Sequence, residues 1–224
     1  MKALRIWIES LHDKSAIVEK AKRAGFAVRR NSPDFVVTYG GDGHILAAEW
    51  KYPGVPKIPI RRSVICSKCD YYDIGDVDGL LEKLKQGRYS IVEMLKAEAV
   101  FKGRSIAGLN EVQLRNIDPR RALRFSIGKM NFIADGLVAA TPYGSTAYYS
   151  SLGYRPFRSG LRIGLNNPAA GRGYFVVKIS ARIKLLRGSA FLAADNQERM
   201  HRLKAGDAVL VRAARQKARF VKFL

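Results

Sequence analysis

No apolar stretch of this chain approaches the ~18 residues that a membrane-spanning helix requires, because Arg, Lys or Gly interrupts every run. The opening segment, Met1 to Ser10, alternates apolar and charged residues and does not carry the apolar block and small-residue cleavage site of a signal peptide. A soluble, cytoplasmic protein is the expectation. Cysteine is nearly absent: Cys66 and Cys69 form a single C-x-x-C, and the three histidines, His12, His44 and His201, lie far apart. Structural zinc normally takes four ligands, so free or redox-active thiols are the better reading of the pair, and no metal ligand is assigned. Internal repeats and low-complexity tracts are also missing.

Acidic residues are the other scarcity. Nineteen Asp and Glu stand against forty Lys and Arg, a formal charge of +21, which favours an anionic partner such as a polyphosphate, a nucleotide or a nucleic acid. The excess is steepest in residues 151–224, with sixteen basic and three acidic residues. Those charges are scattered through apparent strands, as in Val176 to Lys184, and so read as solvated faces rather than a basic tail. Dense surface charge also suits a heat-tolerant protein. With 224 residues, 47% of them hydrophobic, the chain can build one large domain or two small ones.

The first 90 residues alternate strand and helix patterns. Apolar residues at every second position mark a strand at Leu4–Ile8, and a helix from near Ser15 places Ile17, Val18, Ala21 and Ala24 on one face before Gly25 ends it. Asp34–Tyr39 reads as a buried strand that runs into Gly40-Gly41-Asp42-Gly43 and then into helix-forming residues. Pro53, Pro56 and Pro59 predict a loop, and Asp78–Gln86 another helix, stopped at Gly87. From about residue 89 the pattern changes to strands with tight turns: Ala97–Phe101, a Lys102-Gly103 turn, Ile106–Leu114, Leu123–Ile127. The expected division is an α/β domain at 1–88 and a β-rich, sandwich-like domain at 89–224, with its tail packing back on the first.

Three groups of residues carry chemistry. Glycines between a strand and a helix let backbone N–H groups approach phosphate oxygens, so Gly40, Gly41 and His44 are candidate phosphate contacts. A carboxylate beside phosphate, as at Asp42, has use there as a metal ligand or as an acceptor of the proton of an attacking hydroxyl, although Gly and Asp also dominate plain turns. Asp135 to Tyr148 joins a strand to a helix N-terminus through a Pro142-Tyr143-Gly144 turn, with Ser145 as the cap and Tyr148 placed to stack on a flat ring; an ordinary cap with a buried Tyr is the plainer alternative. Asn110-Glu111, at a strand mouth, can hold the two hydroxyls of a ribose, or can simply be solvated.

The order and spacing of these segments, with Asp195-Asn196-Gln197 further on, resemble the NAD kinase family. Gly-Gly-Asp-Gly is shared with the wider group of phosphofructokinase, diacylglycerol and sphingosine kinases, whereas the Asp135 to Tyr148 stretch is similar to NAD kinases in particular. The resemblance implies a two-domain NAD kinase-like fold and a kinase that forms NADP from NAD and ATP or polyphosphate with Mg²⁺ or another divalent cation. It implies that Asp42 takes the proton of the adenosine ribose 2′-hydroxyl and that Gly43 lies beside the nucleotide. Asn110, Glu111, Asp135, Thr146, Ala147, Tyr148, Tyr149, Ser150, Ser151 and Gln197 become expected NAD contacts, and an assembly of identical chains is expected. The chain departs from the family pattern at His44, at Arg61–Cys69, at Tyr143 and at Leu152–Pro156. Two alternatives stay open: a related kinase acting on another hydroxyl, and a non-catalytic nucleotide or nucleic-acid binder. No nucleic-acid motif accompanies the charge, which argues against the last.

Overall fold

A computed structural model of the chain describes all residues except 1–2, 63–65, 67, 69–71 and 172. In chain order the elements are β1 (Arg5–Glu9), α1 (Ser15–Arg23), β2 (Ala27–Val28), β3 (Phe35–Gly40), α2 (Asp42–Lys51), β4 (Lys57–Arg61), α3 (Val77–Lys85), β5 (Tyr89–Met94), β6 (Ala97–Phe101), β7 (Arg104–Gly108), β8 (Glu111–Asn116), β9 (Leu123–Ile127), β10 (Met130–Ala134) and β11 (Gly136–Ala140). There follow a 3₁₀ turn (Gly144–Thr146), α4 (Tyr148–Ser151), β12 (Leu161–Asn166), β13 (Tyr174–Val177), β14 (Ser180–Arg187), β15 (Ser189–Ala194), β16 (His201–Lys204), β17 (Ala208–Ala213) and β18 (Ala218–Phe223). The chain divides into two units, Met1–Met94 with Lys217–Leu224, and Leu95–Gln216. No described helix is long and apolar enough to cross a membrane.

The first unit is built on one sheet in the order β2-β1-β3-β4-β18-β5, parallel except for the antiparallel β18–β5 pair. Every residue of β3 is buried, as a parallel strand covered on both faces requires. One face presents Ile6, Ile8, Phe35, Val37, Ile58 and Ile60 to the apolar stripes of α1 and α3, including Ile17, Ala21, Leu80 and Leu84. Helix α2 packs against β3 and β4 and buries Ile45 and Ala48.

Two expectations change here. The strand at Tyr89–Met94 belongs to this unit, not to the β-rich part, because it pairs along its whole length with β18, a partner more than a hundred residues away. Pro59 lies inside β4 rather than in a loop; the ladder from β4 to β18 has a single register position, Phe220 with Lys57, so the missing N–H is tolerated.

The second unit contains two six-stranded antiparallel sheets, ordered β10-β9-β14-β17-β6-β7 and β13-β12-β11-β8-β15-β16. One core joins them: Phe125, Ile183 and Val209 of the first meet Leu114, Leu137, Ile163 and Leu192 of the second. This is a sandwich, held by alternating inward residues. On the outer side of the second sheet a smaller cluster gathers Val138, Ala140, Tyr149, Tyr154 and Phe157.

Candidate functional site

In the first unit, β3 ends at Gly40 and α2 begins at Asp42, with Gly41 extended between them (φ −112°, ψ −169°). This is the strand, glycine turn and helix expected from the residues. Asp42 is half-buried, and its Oδ1 accepts the Lys68 backbone N–H at 2.9 Å with Cys66 Sγ 3.0 Å away. Cys69, the other member of the cysteine pair expected as free or redox-active thiols, lies outside the described residues.

His44 folds back over the turn. Its Nδ1 lies 3.4 Å from the Gly41 N–H and its Nε2 lies 3.3 Å from the Leu11 N–H. A neutral imidazole has one acceptor nitrogen, so only one of these is a hydrogen bond at a time. Burial and the neighbouring His12 lower the His44 pKa below its usual range, which leaves the ring neutral near pH 7. The His12 ring is centred 5.1 Å away, and Arg62 Nη1 lies 3.2 Å from His12 Nδ1. Further along α2, Glu49 forms a fully buried ion pair with Lys57 of β4, and the same ammonium donates to the Tyr52 carbonyl at 2.7 Å. The pair ties to the sheet the helix that presents Asp42, and nothing in the residue pattern had singled it out.

In the second unit the expected strand Ile106–Leu114 is broken at Leu109-Asn110, and its halves, β7 and β8, enter different sheets. The break is held from both sides. Asp195, in the turn after β15, accepts the N–H groups of Leu109 (2.6 Å), Asn110 (2.9 Å) and Glu111 (3.1 Å). On the carbonyl side, the buried Thr141 hydroxyl donates to Leu109 O at 2.6 Å, and the Thr141 N–H donates to Asn110 O at 2.9 Å. Gly144 lies so close that a Cβ there would stand 2.2 Å from Asn110 O.

The bend leaves two buried polar atoms without a hydrogen-bond partner among the described residues, Asn110 Oδ1 and Glu111 Oε2. Burial, reinforced by the Asp195 charge, pushes the Glu111 carboxyl up to about 8. At neutral pH it is therefore mostly protonated and can donate as well as accept. Buried polar groups are nearly always satisfied, so two orphans side by side mark a place where a ligand with hydroxyl groups would complete the set.

The other expected contacts separate into surface and core. β8 and β11 pair with Glu111 opposite Ala140 and Arg115 opposite Gly136. Asp135, just before Gly136, thus lies at the far end of β11 from Asn110-Glu111, roughly 17 Å away at ~3.4 Å per residue. Its carboxylate accepts from Asn167 Nδ2 at 2.9 Å. Burial pushes the Tyr148 hydroxyl pKa up, and the Arg115 guanidinium stands 5.5 Å from its ring centre. These groups line an elongated outer face.

Thr146 and Ser151 are exposed and Ala147 and Ser150 half-buried, whereas Tyr149 is 0% exposed and stacks on Tyr154 at 4.9 Å. Tyr149 supports the face from beneath. Ser145 does not cap a helix as expected: its hydroxyl lies 2.8 Å from the Pro142 carbonyl, to which it donates, and the following α4 has four residues. Gln197 donates its amide to Ala107 O at 2.7 Å and so braces the neighbouring strand. Asp195 and Thr141 were missing from the expected site residues; the only signal was their membership of the Asp195-Asn196-Gln197 and Ala140-Thr141-Pro142 segments.

Among the described residues no group of three or more His, Cys, Asp or Glu converges to hold a metal ion. Mg²⁺ is commonly held by one or two carboxylates together with substrate phosphates, and Asp42 at the glycine turn fits that mode.

A family profile described as the ATP-NAD kinase C-terminal domain matches residues 129–223. An NAD kinase of Picrophilus torridus is 25% identical over 94% of this chain and 81% of its own length. An NAD kinase of Carboxydothermus hydrogenoformans is 29% identical over 84% of this chain and 74% of its own length. The NAD kinase of Streptococcus mutans is 35% identical, with the match spanning 57% of this chain and 50% of the relative. Among solved structures, an NAD kinase from Archaeoglobus fulgidus in complex with ATP superposes with a TM-score of 0.81 at 19% identity, covering 99% of this chain and 94% of that one. Yeast NADH kinase complexed with NADH gives 0.83 at 18% identity, covering 100% and 84%. These two establish likeness of fold.

Proposed function

We propose that this chain is a member of the NAD kinase family and that it phosphorylates the 2′-hydroxyl of the adenosine ribose of NAD, giving NADP, with ATP or polyphosphate as donor. The observation that carries the reading is the Asn110-Glu111 bend, where two buried polar atoms stand unpartnered at one end of an elongated face. Asn110 and Glu111 hold ribose hydroxyls, Tyr148 and Asp135 receive the rest of the dinucleotide, and Gly40, Gly41 and Gly43 present backbone N–H groups to donor phosphate.

In the reaction the 2′-oxygen forms a bond to the terminal phosphorus as the bond from phosphorus to the bridging oxygen breaks, and the shortened donor leaves. Asp42 accepts the proton that the hydroxyl loses. Mg²⁺, when bound with the donor, neutralises charge on its phosphates. The neutral His44 ring contributes a hydrogen bond there rather than a fixed charge.

The test is formation of NADP by the purified chain supplied with NAD, Mg²⁺ and either ATP or polyphosphate. NADP with at least one donor is expected. Folded protein that forms none with either would overturn the reading.

A further inference from the structure

Asp195 is the residue on which the second unit's candidate site turns, and neither its neighbours nor its type explains why it stands there. Its backbone has φ +46°, a left-handed conformation that costs an ordinary side chain energy and that Asn and Asp tolerate best. In return, one carboxylate gathers three successive N–H groups from a segment more than eighty residues earlier, and the Asp195 N–H donates to Glu111 O at 3.2 Å. The approach is close enough that a Cβ on Gly108 would meet Glu111 O at 2.1 Å and Asp195 Oδ1 at 2.7 Å. The same carboxylate acts on the Glu111 carboxyl through its charge.

We propose that Asp195 is a positioning residue for the dinucleotide: its carboxylate fixes the bend that aims Asn110 and Glu111 at the ligand, and it stands as a charged neighbour beside Glu111. The proposal rests on NAD as the ligand of this unit. The titratable and charged groups around Glu111, among the described residues, are Asp195 from the turn after β15 and Tyr148 from α4, with Arg115 further along β8 and Asp135 beyond it. Burial is the larger cause of the high Glu111 pKa and Asp195 the second, so removing the Asp195 charge lowers the value without restoring an ordinary carboxylate.

The experiment measures NAD binding by calorimetry from pH 6 to 9 for wild type, Asp195→Asn and Glu111→Gln. Asn suits the left-handed backbone and can still accept with one oxygen, so the fold is retained, and thermal melting checks that it is. Wild-type affinity is expected to fall as pH passes about 8, where Glu111 loses its proton. Glu111→Gln is expected to remove that fall. Asp195→Asn is expected to bind NAD about tenfold more weakly at pH 7, as for a lost charged hydrogen bond, and to move the inflection to lower pH. Weaker binding with an unmoved inflection would show a merely structural role and overturn the proposal. A variant that binds like wild type would do the same. Because binding is the readout, a chain that binds NAD but forms no NADP sinks the reaction and leaves this inference to its own result; a folded wild-type chain that does not bind NAD sinks both.

Discussion

The glycine turn of the first unit and the Asn110-Glu111 bend of the second both interrupt the run of a β-strand at polar groups, but they are made in opposite ways. At the turn, the residues that break the strand are also those that would meet the ligand: Gly40, Gly41 and Asp42 are contiguous, and the helix that follows supplies the geometry. At the bend, the Asn110-Glu111 pair is held by residues from elsewhere, Thr141 on one side and Asp195 on the other. A local device survives changes around it. A device assembled from distant segments fails when any one of them moves.

The largest effect that would sharpen this contrast is on the turn itself. Asp42→Asn should lower NADP formation by roughly 10²–10⁴-fold, the span of a lost general base, while NAD binding persists; unchanged turnover would remove Asp42 from its role. Next comes the support under the turn. Glu49→Ala leaves the buried Lys57 charge without its partner and should cost about 3–5 kcal/mol in urea denaturation, whereas the double change Glu49→Leu with Lys57→Met should recover most of it. A double variant as unstable as the single one would show that the pair is not what holds α2 to β4.

In the second unit, Gly144→Ala forces a methyl group against the Asn110 backbone and should destabilise the fold by about 1–3 kcal/mol, as overpacking does, and weaken NAD binding with it. Stability lost with binding intact would separate the bend from the ligand. A smaller effect depends on pH. The folded chain holds the Glu111 proton more tightly than the unfolded chain, so this contribution is complete below about 4.5 and is lost as pH rises toward about 8. The melting temperature of Glu111→Gln relative to wild type should therefore rise between pH 5 and pH 9, and a constant difference would contradict the buried neutral carboxyl. Smallest of all, Lys217→Ala removes a half-exposed ion pair with Glu93 at the closing strand and should change stability by less than about 1 kcal/mol, since the six paired positions of β5 and β18 carry that edge.

Much of the first unit was legible in the residues because its signals are short-range. Periodicity gave α1 and α3, Gly25 and Gly87 ended them, and the run Asp34–Tyr39 read as a buried strand, which the structure has at Phe35–Gly40. The misreadings concern strands placed by pairing. Pro59 looked like a loop residue but pairs with Thr38 of β3, and Tyr89–Met94 looked like the start of the β-rich part because its partner, β18, arrives from the far end of the chain. The strand reading of Ile106 to Leu114 likewise gave no hint that the strand would change sheets at Leu109, since the carboxylate that takes its N–H donors lies at Asp195.

Composition and local pattern by themselves determined the basic surface, the two styles of architecture and the contiguous Gly-Gly-Asp-Gly turn, for these depend on residues a few positions apart. Tertiary structure alone decided that Tyr149 is core and Tyr148 surface, that Gln197 braces a strand, and that Glu111 is buried beside a fixed negative charge. Each of those outcomes depends on desolvation and on partners brought together by folding, and neither quantity is written in the order of neighbouring residues.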